Sequence, residues 1–205
     1  MLTRMGILQE IEHKRSITQM NETIKTLLNR RSVRTYKPEQ IKDEDLQIIL
    51  KAGMYAPSAM NQQSRHFTVV QNKETLRRIN ETCKVIFSKS GNQRFEEMAK
   101  SENFSVFHNA PTLIIVSGDE KAIAPQCDCT LANGTMFLAA ASIGIASCWI
   151  HALTQINGTA EGQALIKELG LPEGNKIFAS GAFGYNASEL PIAPPRKENV
   201  VTILK

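Results

Sequence analysis

Arg30, Arg31 and Arg34 fall within five residues with Ser32 among them, and a fourth arginine, Arg196, follows Pro194 and Pro195 near the other end of the chain. A guanidinium keeps its charge at physiological pH and presents a planar fork of donors, which suits a phosphate held away from bulk water. If the fold brings the two ends together, they make one phosphate site. A plainer reading stands beside this one. Residues 20–29 place Ile24, Leu27 and Leu28 at helical spacing, and cations at a helix C-terminus are favoured by the backbone dipole with no ligand present.

Other chemistries find less support. No G-x-G-x-x-G follows an expected strand, and neither a P-loop nor a G-x-S-x-G nucleophile elbow occurs. Cys148 and His151 are three residues apart on an expected strand, so their side chains point to opposite faces and make a poor nucleophile–base couple. The gap between Cys127 and Cys129 is too tight for the usual metal spacing, and His13, His66, His108 and His151 are scattered, so no metal is expected. No pair of carboxylates stands out for acid–base work.

These residues need positioning by a fold of ordinary size. The 205 residues are 42% hydrophobic, enough for one globular domain with a closed core. A net charge of +4, from 24 basic and 20 acidic residues, suits an anionic ligand but is too balanced for nucleic acid. Residues 1–19 read as an N-terminal extension without a secretion signal, and no apolar stretch is long enough for a membrane span. The four cysteines are therefore expected as free thiols in the cytoplasm.

Helices are expected at 20–29, 43–54, 73–87, 93–100, 128–143 and 158–169, the last closed by Gly170 and Pro172. Strands are expected at 66–70, 112–116, 144–150, 177–185 and 200–204. Helices and strands mix without strict alternation, which favours α+β. The helix at 128–143 is small or apolar on every side, so it belongs in a core or between subunits. The polar segment 88–106 reads as a mobile lid.

Four segments together resemble the FMN-dependent nitroreductase family. They are Arg30-Arg31-Ser32-Val33-Arg34-Thr35-Tyr36, Ala56-Pro57-Ser58-Ala59-Met60-Asn61-Gln62-Gln63, Gly144-Ile145-Ala146-Ser147-Cys148-Trp149-Ile150 and Pro195-Arg196-Lys197. They occur in order between about Met20 and Lys205. The resemblance implies a nitroreductase-like α+β fold, with a central antiparallel sheet flanked by helices. It implies an intertwined homodimer with exchanged C-terminal strands and FMN at each subunit interface, the helix at 128–143 forming the dimer core. By the same resemblance, Arg30, Ser32, Arg34 and Arg196 hold the phosphate and Arg31 adds a contact nearby. Pro57, Ser58, Ala59 and Asn61 cover the flavin from the partner, Asn103 meets its edge, and Trp149, Ile150, His151 and Ala152 run beneath it with N–H groups near N5.

Tyr36 and Trp149 offer apolar faces. No protein group need act as catalytic acid or base, since N5 carries the hydride. NADH or NADPH would reduce the flavin, and nitro-aromatics, quinones or related small acceptors would reoxidise it by a ping-pong route. A non-catalytic flavin-binding regulator is the alternative, as is a specialised member such as a reductive dehalogenase or a flavin-fragmenting enzyme. The chain departs from the family at Ser64-Arg65, where Pro-Trp is common. That leaves Arg65 to solvent or a substrate, and His151 either to a substrate contact or to a hydrogen-bonded structural role.

Overall fold

The computed structural model of the protein describes residues 21–205, so the expected extension at 1–19 lies outside the described residues. Strands β1 (Arg65–Val70), β2 (Thr112–Asp119), β3 (Ala146–Trp149) and β4 (Asn175–Gly184) form one sheet in the order β1-β2-β4-β3. Every neighbouring pair is antiparallel. The helices are α1 (Glu22–Asn29), α2 (Asp43–Met54), α3 (Lys73–Ser88), α4 (Gln93–Lys100), α5 (Pro125–Ser142) and α6 (Ala160–Glu168), with short 3-10 helices at Ala59–Asn61 and His151–Ile156. The architecture is the expected α+β one.

The unbroken apolar run of β2 follows from its place in the middle of the sheet, covered on both faces. Leu113 and Ile115 enter one core with Leu76, Ile79 and Phe87 of α3 and Leu153 and Ile156 of the second 3-10 helix. Ile114 and Val116 enter the other with Ile49 of α2 and Met136 and Phe137 of α5. Each such side chain, fully buried, contributes about 1.5–3 kcal/mol. Asparagines start three of the helices: the Asn21, Asn72 and Asn92 side chains accept N–H groups in the first turns of α1, α3 and α4.

Several boundaries differ from the sequence expectation. Helix α5 begins at Pro125 rather than 128, because proline at a first helical position gives up no needed N–H. It ends at Ser142, and just beyond it Gly144, with a φ of +79°, lets Ile145 N–H reach back to the Ala140 carbonyl at 2.8 Å. Gly144 thus closes the helix instead of opening β3. Only one face of α5 is buried within the chain, and Leu131 on the other remains half exposed. Within the segment 88–106, α4 brings Phe95 against Phe87 with ring centroids 4.7 Å apart, and Phe104 lies 5.8 Å from Phe87.

Within the single chain, residues 200–204 form no strand. Beyond β4, residues 185–187 pair with 35–37 through Lys37 N–H to Tyr185 O and Ala187 N–H to Thr35 O, and the chain then runs on without regular structure. A strand exists only by pairing, and Val200, Val201, Ile203 and Leu204 meet no strand of their own chain and are exposed. Among the described residues, no helix is long and apolar enough to cross a membrane.

Candidate active site

After α1 the chain extends alongside β3. Ser32 bridges Ser147 in parallel, and Val33 N–H donates to the Ser147 carbonyl at 3.0 Å. Extended backbone turns alternate side chains to opposite sides. Val33 goes into the core, while Ser32, Arg34 and Tyr36 share the other side with Cys148. Burial pushes the Cys148 thiol up, and the charges of Arg34 and Arg30 and the Ser32 hydroxyl pull against it. Three of the four expected phosphate residues therefore surround one side chain. Among the described residues, no carboxylate forms an ion pair with Arg30, Arg31 or Arg34. A donor set with no carboxylate partner among the described residues fits a phosphate.

His108 joins this cluster unforeseen. It is half-buried, and burial together with the Arg34 charge holds its pKa below the usual 6.5. His108 and Asn109 are both left-handed, with φ of 57° and 56°, and Asn109 N–H is fixed to Ser105 Oγ at 2.8 Å.

Arg31 departs from the expected role. Its guanidinium donates to the carbonyls of Leu28 (2.7 Å) and Arg30 (2.9 Å), capping the C-terminus of α1. The alternation that unites Ser32 with Arg34 turns Arg31 to the other side. It lines a cavity of about 520 Å³ together with Arg30, Val33, Ile145 and Ser147, whose buried hydroxyl has no hydrogen-bond partner among the described residues. Arg196 lies in the exposed C-terminal stretch, and no hydrogen bond among the described residues ties it to the arginine segment.

At the end of β3, Ser180 and Ile150 bind each other twice. Ile150 N–H donates to the Ser180 carbonyl at 2.9 Å, and the Ser180 hydroxyl donates to the Ile150 carbonyl at 2.7 Å. The Ile150 N–H is therefore committed to the sheet. Donors left at this corner are the N–H groups of His151 and Ala152, which open a 3-10 helix and have no acceptor inside it. Trp149 is half exposed and meets the His151 ring edge-on, centroids 5.5 Å apart. His151 is exposed and its ring makes no hydrogen bond among the described residues, unlike a structural histidine. Tyr36 is partly buried; its hydroxyl donates to the Val33 carbonyl at 2.7 Å, and burial pushes its pKa well up.

Pro57, Ser58, Ala59 and Asn61 form a loop held in an uncommon shape. Met60, Asn61 and Gln63 have φ of 48°, 54° and 50°, a region that side-chain-bearing residues enter at a cost of about 1–3 kcal/mol each. Asp128 of α5 accepts Ala59 N–H at 3.0 Å, and Ser58 Oγ accepts Gln63 N–H at 3.1 Å. Arg65 is partly buried and engaged by its own chain. Its guanidinium donates to the carbonyls of Pro57 (2.8 Å), Met54 (3.3 Å) and Ala56 (2.6 Å).

The fold unites some of these pieces and separates others. The arginine segment and residues 149–152 share the β3 edge, whereas the 57–63 loop precedes β1 at the opposite edge. Three strand spacings, at about 4.8 Å each, lie between the edges. Asn103 is exposed in the turn between α4 and β2.

The sequence pattern of the Nitroreductase family matches residues 27–185. A protein of Archaeoglobus fulgidus described as a putative NADH dehydrogenase/NAD(P)H nitroreductase is 34% identical over 175 residues, covering 83% of this chain and 88% of that protein. Among solved structures, a nitroreductase with bound FMN from Bacteroides fragilis superposes with a TM-score of 0.87 at 41% identity, over 91% of this chain and 100% of the other. A second nitroreductase with bound FMN, from Desulfitobacterium hafniense, gives 0.81 at 29% identity, over 91% and 100%.

Proposed function

The chain belongs to the Nitroreductase family, and on that premise we propose that it is an FMN-dependent oxidoreductase, fed by NADH or NADPH, that reduces nitro-aromatics, quinones or related small acceptors. Bound FMN supplies hydride chemistry at N5, with reductant and acceptor taking turns at the site. Arg30, Ser32 and Arg34 bind the phosphate, joined by Arg196 from the C-terminal stretch. The N–H groups of His151 and Ala152 serve as donors at the N5 edge, where they favour added negative charge on the ring. No side chain acts as acid or base.

The enzyme works as a cytoplasmic homodimer. Loop residues Pro57, Ser58, Ala59 and Asn61 lie at the sheet edge remote from their own arginine segment, so they cover the flavin of the other protomer. The open face of α5 and the unpaired apolar residues at 200–204 support the same assembly. The observation that carries the proposal is the shared edge: Arg30 and Arg34, with no carboxylate partner among the described residues, and Ser32 beside the N–H groups of His151 and Ala152, which have no acceptor among the described residues.

An anaerobic absorbance titration tests it. Flavin bands that bleach with NADH or NADPH and return with a quinone are expected. Flavin that binds without bleaching would leave a non-catalytic binder, and a protein that ignores FMN would refute the cofactor assignment.

A further inference from the structure

Helix α2 ends at Met54, where carbonyls lose their helical partners, and a cation near such an end is favoured. Arg65 supplies it, taking the carbonyls of Met54, Ala56 and Pro57 from the first position of β1. From α5, Asp128 takes the Ala59 N–H, although the carboxylate is only 2% exposed and its Oδ2 has no partner. Burying a carboxylate with an oxygen unused is costly, and plain loop closure does not require one. Burial pushes the neighbouring Cys129 thiol up, and the Arg65 charge pulls against it while Asp128 adds to the rise. Between them lies a loop with three left-handed residues, a shape that persists only when its surroundings over-determine it.

We propose that Arg65 and Asp128 are positioning residues for the cofactor: in each protomer they fix the 57–63 loop over the flavin bound in the other, and so set that site's affinity. The inference rests on the proposed function, which makes the loop a flavin cover. The clamp touches no flavin itself. It acts by delivering Pro57, Ser58, Ala59 and Asn61 pre-shaped, which removes an ordering cost from binding.

Apo-protein titrated with FMN, followed by quenching of flavin fluorescence, gives the first test. Arg65→Ala and Asp128→Ala are each expected to weaken FMN about tenfold or more, the scale of a lost charged hydrogen bond. General loosening would do the same, so heterodimers decide. Differently tagged Arg34→Ala and Arg65→Ala chains are co-expressed and the mixed dimer is isolated. One of its sites then combines an intact arginine segment with an intact loop, and the other has neither. The expected result is one FMN per dimer at wild-type affinity; a mixed dimer without a wild-type site overturns the proposal. Should Arg65→Ala be insoluble, Arg65→Lys enters the same mixture. If the Arg34→Ala homodimer binds FMN normally, the functional reading fails. If that variant is weakened while Arg65→Ala and Asp128→Ala are not, only the clamp fails.

Discussion

Replacing Ser180 with alanine should loosen the corner of the site at a calculable cost. The residue is fully buried in β4, and the change removes one oxygen. The Ile150 carbonyl loses a 2.7 Å hydrogen bond and keeps only Leu153 N–H at 3.3 Å, beyond the usual range for such a bond. A bond of this kind contributes about 1 kcal/mol net, and an under-satisfied buried carbonyl raises the cost toward roughly 3 kcal/mol. Because a weak partner remains, we expect a loss of about 1–2 kcal/mol. Urea unfolding followed by circular dichroism should give a lower midpoint at unchanged slope. The Ile150 carbonyl also fixes the start of the turn that presents His151 and Ala152 N–H. Reduction of bound flavin by NADH should therefore slow in stopped-flow, with FMN affinity nearly unchanged. An unaltered urea midpoint would refute the anchoring argument. A lowered midpoint with an unaltered reduction rate would refute its connection to the site.

Arg34→Ala should weaken FMN by about 1.5–3 kcal/mol, and it should raise the His108 pKa, because one of the two causes holding it down disappears. An NMR titration in which His108 does not move would show that the guanidinium is not felt there. Since the folded-state value of His108 lies below 6.5, the unfolded chain binds that proton more readily. Stability should therefore fall as pH drops from 6.5 through the folded-state value, and urea midpoints should show a shallower fall in His108→Gln. Thiol reagents should leave three cysteines of the native protein unlabelled, because Cys83 and Cys129 are buried with pKa values pushed up to about 12 and buried Cys148 is also raised. Fast labelling that survives Cys127→Ser would contradict this. Gly162→Ala should cost about 3 kcal/mol or prevent folding, since the new methyl would lie 1.9 Å from the Ile156 backbone oxygen; a wild-type melting temperature would show that this turn yields easily.

Local patterns in the chain marked most elements, and α2 and α4 lie where their periodicity puts them, at 43–54 and 93–100. The sequence is ambiguous where one residue type serves two purposes. Gly144 reads equally as a strand opening or a helix stop, and only the Ile145–Ala140 bond distinguishes them. Residues 200–204 have the composition of a strand, but pairing is a property of neighbours. In the site, alternation along residues 30–36 was available from the start and already separates Arg31 from Ser32 and Arg34. Asp128 also left a signal, a lone charge in an otherwise uncharged helix. His108 and Ser180 left none, because each gains its role from segments far away in the chain: His108 from Arg34, Ser180 from Ile150.

The strand order also dictates when the site can exist. β4 is the last strand made, yet it sits between β2 and β3 and pairs with both. A chain emerging from the ribosome can form α3 and the β1–β2 pair early, but β3 has no sheet to join until residues 175–184 are available. Long-range pairings of this kind are slow to close and leave apolar strands uncovered meanwhile. The arginine segment, itself docked on β3, has no place to settle before then. The proposed phosphate site thus takes shape late in synthesis, and a chain cut short before Gly184 carries every arginine of the N-terminal cluster without a surface to hold them in register.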